Sequence, residues 1–154
     1  MPVTIAEQTI HTLEFAREEL IAAPIEVVFD TMLEELGPNN MRPDGEPLSM
    51  KLEAWPGGRW FRDLADGAGH WWGNVQAIKA PTLLEISGPL FMSYPSMNNA
   101  QYRLTEENGA TRLRFIHRGI AYIAYDPKIA EQWKGIEGGW GSMIERIRRV
   151  AEKK

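Results

Sequence analysis

The chain has 154 residues, enough for one domain with a real core, because folding at this size buries roughly two-thirds of the accessible surface. Hydrophobic residues make up 44% and charged residues 25%, ordinary values for a globular protein that set aside disorder and low complexity. Lys and Arg total 17 against 21 Asp and Glu, so the net charge of -4 provides no general attraction to nucleic acid or anionic lipid, and the lack of cysteine excludes disulfides and thiolate chemistry.

Residues 1–8 carry no basic stretch followed by an apolar core, and no run approaches the roughly 18 apolar residues of a membrane span. The expectation is a cytoplasmic protein with a flexible segment at 1–8 and a single domain over 9–152. From Thr9 to Ala22, apolar Leu13 and Phe15 alternate with charged neighbours, which predicts a strand with one solvated face. Ala23-Pro24 then opens a helix in which Val28, Phe29, Met32, Leu33 and Leu36 recur at helical spacing, and Gly37-Pro38 ends it.

Turn formers crowd 37–47, which predicts an exposed loop of a length typical of lids and binding loops. Strand-like runs follow at Leu48 to Trp55, Arg59 to Leu64, His70 to Lys79 and Leu83 to Ser87, each closed by a turn signal. A last hairpin, Ala100 to Glu106 and Thr111 to Arg118, turns at Asn108-Gly109. Beyond Asp126-Pro127, the residues Ile129, Trp133, Ile136, Trp140, Met143 or Ile144, Ile147 and Val150 mark one long amphipathic helix. Arg146, Arg148, Arg149, Lys153 and Lys154 near its end read as a solvated, dipole-matched terminus.

This order describes an α+β protein: a curved antiparallel sheet of about seven strands gripping a long C-terminal helix, with one helix after the first strand. Ile21-Ala22-Ala23-Pro24-Ile25-Glu26-Val27-Val28-Phe29, Trp55-Pro56-Gly57-Gly58-Arg59-Trp60, Gly73-Asn74-Val75 through Pro81-Thr82-Leu83, Gly109-Ala110-Thr111-Arg112-Leu113 through His117-Arg118-Gly119, and Gly139-Trp140 stand in sequence. In these motifs the chain resembles the START-like helix-grip superfamily (SRPBCC), in the branch of the heat-shock-protein-90 ATPase activator C-terminal domain. The resemblance implies a cavity between sheet and long helix that holds apolar or amphipathic molecules in many members, with catalysis in some and chaperone regulation in a few.

Strand parity places Thr111, Leu113, Phe115 and His117 on the face toward the helix, and Arg112, Arg114, Ile116 and Arg118 on the other. The resemblance implies that the first strand lies alongside, where Glu14 and Glu18 would pair with these cations. The candidate ligand chamber is therefore lined by Trp60, Val75, Tyr102, Leu113, Phe115, His117, Ile136 and Trp140. Its expected guest is a small lipophilic or amphipathic molecule. His117 has two readings, a hydrogen-bonded structural imidazole or a polar contact and proton shuttle, and the latter would suit a cyclase- or hydrolase-type enzyme. A chaperone-interacting module is a third function, suggested by family name alone.

Only one of Trp71 and Trp72 can face the chamber. The glycines at 135, 138, 139 and 141 cost roughly 1 kcal/mol each against alanine in a helix interior, so the helix is either thinned beside a ligand, approached closely by bulky neighbours, or broken locally. Met92, Tyr94, Met97 and the run 120–125 fit a lid, core or homodimer contact equally. His11, His70 and His117 are too scattered for a metal site, no serine lies in a nucleophile elbow, and no glycine-rich phosphate turn occurs, so no cofactor is expected.

Overall fold

A computed structural model describes residue 3 and residues 9–92, 95–123 and 127–154. The expectation for residues 1–8 lies, Val3 apart, outside the described residues. The elements run β1 (Thr9–Ile21), α1 (Ile25–Leu36), β2 (Lys51–Leu52), β3 (Arg59–Asp63), β4 (Gly69–Lys79), β5 (Leu83–Gly88), β6 (Ser96–Glu107), β7 (Ala110–Ile123) and α2 (Pro127–Glu152). The strands form one 7-stranded antiparallel sheet in the order β1-β7-β6-β5-β4-β3-β2. No helix among the described residues is long and apolar enough to cross a membrane.

From Thr12 onward β1 alternates: Leu13, Phe15, Arg17 and Glu19 are half-buried while Thr12, Glu14, Ala16, Glu18 and Leu20 are exposed. This strand pairs with β7 from Thr9↔Ile123 to Ile21↔Thr111, which lays the first strand beside the last. The turn at Asn108-Gly109 is the two-residue reversal its composition predicts, with φ of 53° and 82° at its two residues, a combination that favours glycine and asparagine. Pro24 occupies the N-cap of α1, Glu26 lies in its first turn, and Val28, Phe29, Met32 and Leu36 form its buried stripe.

Two stretches differ from the sequence expectation. Of Leu48 to Trp55, only Lys51–Leu52 is strand, because the residues on either side close turns: Trp55 N–H donates to the Glu53 carbonyl, and Leu48 N–H returns to Asn40. Strand β6 starts at Ser96 and β7 continues to Ile123, since the apolar run from Ile120 finds partners in Met97 on one side and Thr12 on the other. Part of the run at 120–125 is therefore sheet; Tyr94, Ala124 and Tyr125 lie outside the described residues. Helix α2 is the single long helix expected and runs through all four glycines, so the alternative of a local break does not hold.

Ile136, Trp140, Met143, Ile144, Ile147 and Ala151 of α2 enter a single core with α1 and the inner sheet face. The outer face is charged and paired: Arg112 to Glu107 at 2.6 Å, Arg114 to Glu18 at 3.1 Å, and Arg118 to Glu14 at 3.5 Å. Such exposed pairs contribute little to stability, and their effect here is to keep this side of the sheet wet.

Candidate functional site

A cavity of ≈ 500 Å³ opens between the β3–β4 end of the sheet and the middle of α2. Trp60 of β3 and Trp72 of β4 form its sheet wall. Ile136, Trp140 and Met143 form the helix wall, with Gly135 and Gly139 between them and Gln132 above. The loop after α1 supplies Asn40, Met41, Arg42, Pro43 and Leu48, and the connection before β6 supplies Phe91 and Met92.

The aromatic side chains pack around this space rather than across it. Trp60 and Trp72 meet edge to face at 5.0 Å, Trp72 and Phe91 at 5.7 Å, Phe91 and Trp140 at 6.1 Å, and Trp140 stacks on Phe115 at 4.7 Å. Edge-to-face and tilted geometries at these separations are favourable and stiffen the wall. Leu90 makes the connecting segment possible. Its φ of 56° is unusual for a leucine, yet the residue is fully buried and donates its N–H to the Trp72 carbonyl at 2.7 Å, which turns the next residue, Phe91, toward the cavity.

Every indole N–H on the wall is already engaged inside the protein. Trp60 Nε1 donates to the Leu36 carbonyl at 2.8 Å, Trp72 Nε1 to His70 Nδ1 at 2.9 Å, and Trp140 Nε1 to His117 Nδ1 at 2.8 Å. The rings therefore present carbon to the cavity. The last of these bonds also fixes a tautomer: an Nδ1 that accepts leaves the His117 proton on Nε2, which donates to Asn98 Oδ1 at 2.8 Å. Asn98 passes the chain on through Nδ2 to Ser96 Oγ at 3.1 Å. Burial holds the imidazole neutral, with its pKa pushed down to about 4. Gly119, the cross-strand partner of Asn98, allows this approach, since a Cβ there would run into Asn98 Oδ1.

Of the eight residues expected to line a chamber, Trp60, Ile136 and Trp140 face the cavity. Val75, Tyr102, Leu113, Phe115 and His117 also lie on the inner side of the sheet, but they are packed into the core next to it, each 1% exposed or less. Trp72 is the indole of its pair that faces inward, and Trp71 remains 46% exposed on the outer side. Of the apolar residues left open between lid, core and dimer contact, Met92 is buried in the wall, whereas Met97 and Ile120 stand exposed on the outer face.

Glycines 135 and 139 border the cavity, and a Cβ built on either meets nothing within 4 Å, so the helix is thinned there against empty space. Gly138 is equally unopposed but lies on another side of α2, above a shallow depression with Phe15, Ala16 and Arg17. Gly141 differs, because a Cβ there would stand 2.8 Å from Arg17 Nη1.

Two charged residues escaped the sequence reading. Arg146, expected in a solvated helix end, is 8% exposed and donates from Nε to Glu35 Oε2 at 2.9 Å. The helical stripes did contain the signal: Glu35 follows Met32 by three residues and precedes Leu36, and Arg146 lies three after Met143 on the buried side of α2. Both charges are removed from water, which is tolerable only because they meet each other.

The model of the family described as Activator of Hsp90 ATPase homolog 1-like protein matches residues 22–152. No curated protein matches the chain. Among solved structures, it is similar to a protein from Rhizobium leguminosarum with a TM-score of 0.70 at 16% identity, covering 97% of this chain and 100% of that one. A Staphylococcus aureus protein aligns with a TM-score of 0.67 at 13% identity over 94% and 96% of the two chains. CalU16 from Micromonospora echinospora aligns with a TM-score of 0.60 at 17% identity over 94% and 82%. At these identities the likeness establishes the fold.

Proposed function

Because the chain belongs to the family of Activator of Hsp90 ATPase homolog 1-like proteins, whose helix-grip fold frames a cavity between sheet and long helix, we propose that it binds a small apolar or amphipathic molecule in that cavity. The observation that carries this reading is the combination of an open volume of ≈ 500 Å³ with three wall indoles whose N–H groups are all satisfied elsewhere. A volume of this size suits one small organic molecule. Its walls reward apolar contact, at about 0.8 kcal/mol for each methylene withdrawn from water. Trp60, Ile136 and Trp140 touch the guest, and Val75, Leu113, Phe115 and His117 hold those contact residues in place from behind. Asn40, Arg42 and Gln132 supply the polar groups that an amphipathic head would meet.

A proton-shuttle role for His117 is the weaker reading. Both ring nitrogens are bonded within the protein, and the imidazole lies behind Trp140 rather than on the cavity wall. The proposal also takes the protein to work in the cytoplasm, with which a chain free of cysteine is compatible. Thermal unfolding in the presence of a panel of lipophilic compounds tests it. A guest at a hundred times its Kd should add about 2.7 kcal/mol to stability, a shift easily read in Tm. A broad panel that leaves Tm unmoved overturns the reading.

A further inference from the structure

Asn40 stands apart from the other polar residues of the cavity wall. Arg42 and Gln132 are exposed at the mouth, whereas Asn40 is only 4% exposed and still borders the cavity. Its backbone is saturated: the N–H donates to the Gly37 carbonyl at 3.1 Å, and the carbonyl accepts from Leu48 N–H at 2.8 Å. The side chain is held as well. Nδ2 donates to the Leu36 carbonyl at 3.3 Å, beside the Trp60 Nε1 that reaches the same oxygen at 2.8 Å. This bond orients the carboxamide, because turning it over would set Oδ1 against another acceptor.

Oδ1 is left over. Among the described residues no side chain or backbone N–H donates to it, yet it is not sealed in the interior, since the buried side-chain polar atom without a partner there is the Tyr102 hydroxyl. The open space that Asn40 borders is the cavity. With the three indole N–H groups spent elsewhere, Oδ1 is the acceptor that the buried side chains of the wall offer.

A guest that fills the cavity takes Oδ1 out of water, and an acceptor left unpaired bears the full cost of its lost hydration. The guest must therefore bring a donor. Among the described residues no carboxylate lines the cavity, so a cationic donor would be buried without a counter-charge, and an anion would meet Oδ1 as one acceptor meeting another. A neutral hydroxyl on an apolar body satisfies both demands.

We infer that Asn40 sets the specificity of the cavity: its Oδ1 accepts from the hydroxyl of a neutral alcohol or phenol whose apolar body lies between Trp60, Trp72 and Trp140. This inference rests on the proposed binding function and names its ligand class.

The test titrates 2-naphthol and 2-methylnaphthalene calorimetrically into the wild type, Asn40→Leu and Asn40→Ala. Flat rings suit walls of indole carbon, and the two probes differ only in a methyl that replaces the hydroxyl. Their unequal transfer from water cancels when the affinity ratio is compared between proteins. The ratio of naphthol to methylnaphthalene affinity should be about tenfold lower in both variants than in the wild type. Both variants should fold, because the Leu36 carbonyl keeps its Trp60 donor. In the wild type, which needs no replacement, the nuclear magnetic resonance signal of Asn40 Cγ should shift more with naphthol than with methylnaphthalene. A ratio that stays within about twofold of the wild type in the folded variants, or a Cγ signal that responds to both probes alike, overturns the assignment. If probes or other lipophilic compounds bind without this dependence on Asn40, the binding function stands and only this inference fails; if nothing binds, both fail.

Discussion

Replacing Gly139 separates the two demands that α2 meets, since helix stability asks for a side chain at this position and the cavity asks for none. A Cβ at Gly139 meets no atom within 4 Å. Alanine there should therefore contribute its ordinary advantage in a helix interior, about 1 kcal/mol. For a chain of this length that corresponds to a rise in Tm of roughly 2–4 °C. Gly138→Ala should give a similar gain, because its Cβ is equally unopposed, whereas Gly141→Ala should gain less or nothing, because its Cβ would press on Arg17 Nη1 and disturb the contacts of that guanidinium with Glu19 and Glu145.

Leucine then tests the site itself. Gly139→Leu directs four carbons into the cavity and should abolish binding of any lipophilic compound that stabilises the wild type, with the fold intact by circular dichroism. Gly138→Leu, projecting over the depression beside β1, should bind as the wild type does. Calorimetric titration of the four alanine and leucine variants at 138 and 139, together with their melting curves, decides the matter. Two results would refute the reasoning: a drop in Tm for Gly139→Ala, which would mean that the space is closed, or undiminished guest affinity in Gly139→Leu, which would mean that the guest sits elsewhere.

Acid should weaken the fold through His117. Its pKa is about 4 when folded and near 6.5 in an unfolded chain, so the unfolded state binds the extra proton first: stability is full above about pH 6.5, falls as the pH drops below that value, and is lower by about 3 kcal/mol once the pH is under 4. Urea unfolding at pH 7.5 and pH 5 should show a loss about 2 kcal/mol greater in the wild type than in His117→Gln, and equal losses would contradict the assigned neutral imidazole. Glu35→Gln should destabilise by about 3–5 kcal/mol, because it leaves Arg146 charged and unpaired in the interior, while Glu35→Leu combined with Arg146→Met should restore most of that stability; a mild Glu35→Gln phenotype in urea would show that the pair is solvated.

The sheet was legible because its signals are local. Parity along β7 alone assigns Thr111, Leu113, Phe115 and His117 to the interior, and all four are fully buried, while Arg112, Arg114 and Arg118 find their partners outside. The hairpin at Asn108-Gly109 and the stripe of α2 announce themselves in the same way. The cavity was legible only in part, because period-two alternation identifies the inner face without distinguishing its packed half from its open half. That distinction is made by segments with no periodicity: Met41 and Leu48 from the loop after α1, and Phe91 and Met92 from the connection before β6, close one end and leave the β3–β4 end hollow. The Glu35–Arg146 pair was hidden for a different reason. Charged residues on two helices each suit solvent when read singly, and only the contact of α1 with α2 brings them together.

The indoles at Trp60, Trp72 and Trp140 make the protein its own optical reporter. Among the described residues these three tryptophans border the hollow, and each is tethered through its nitrogen so that the ring cannot turn away from an entering molecule. Occupancy should consequently change intrinsic emission without any attached dye, and single Trp→Phe replacements would map where along the wall an unknown metabolite comes to rest.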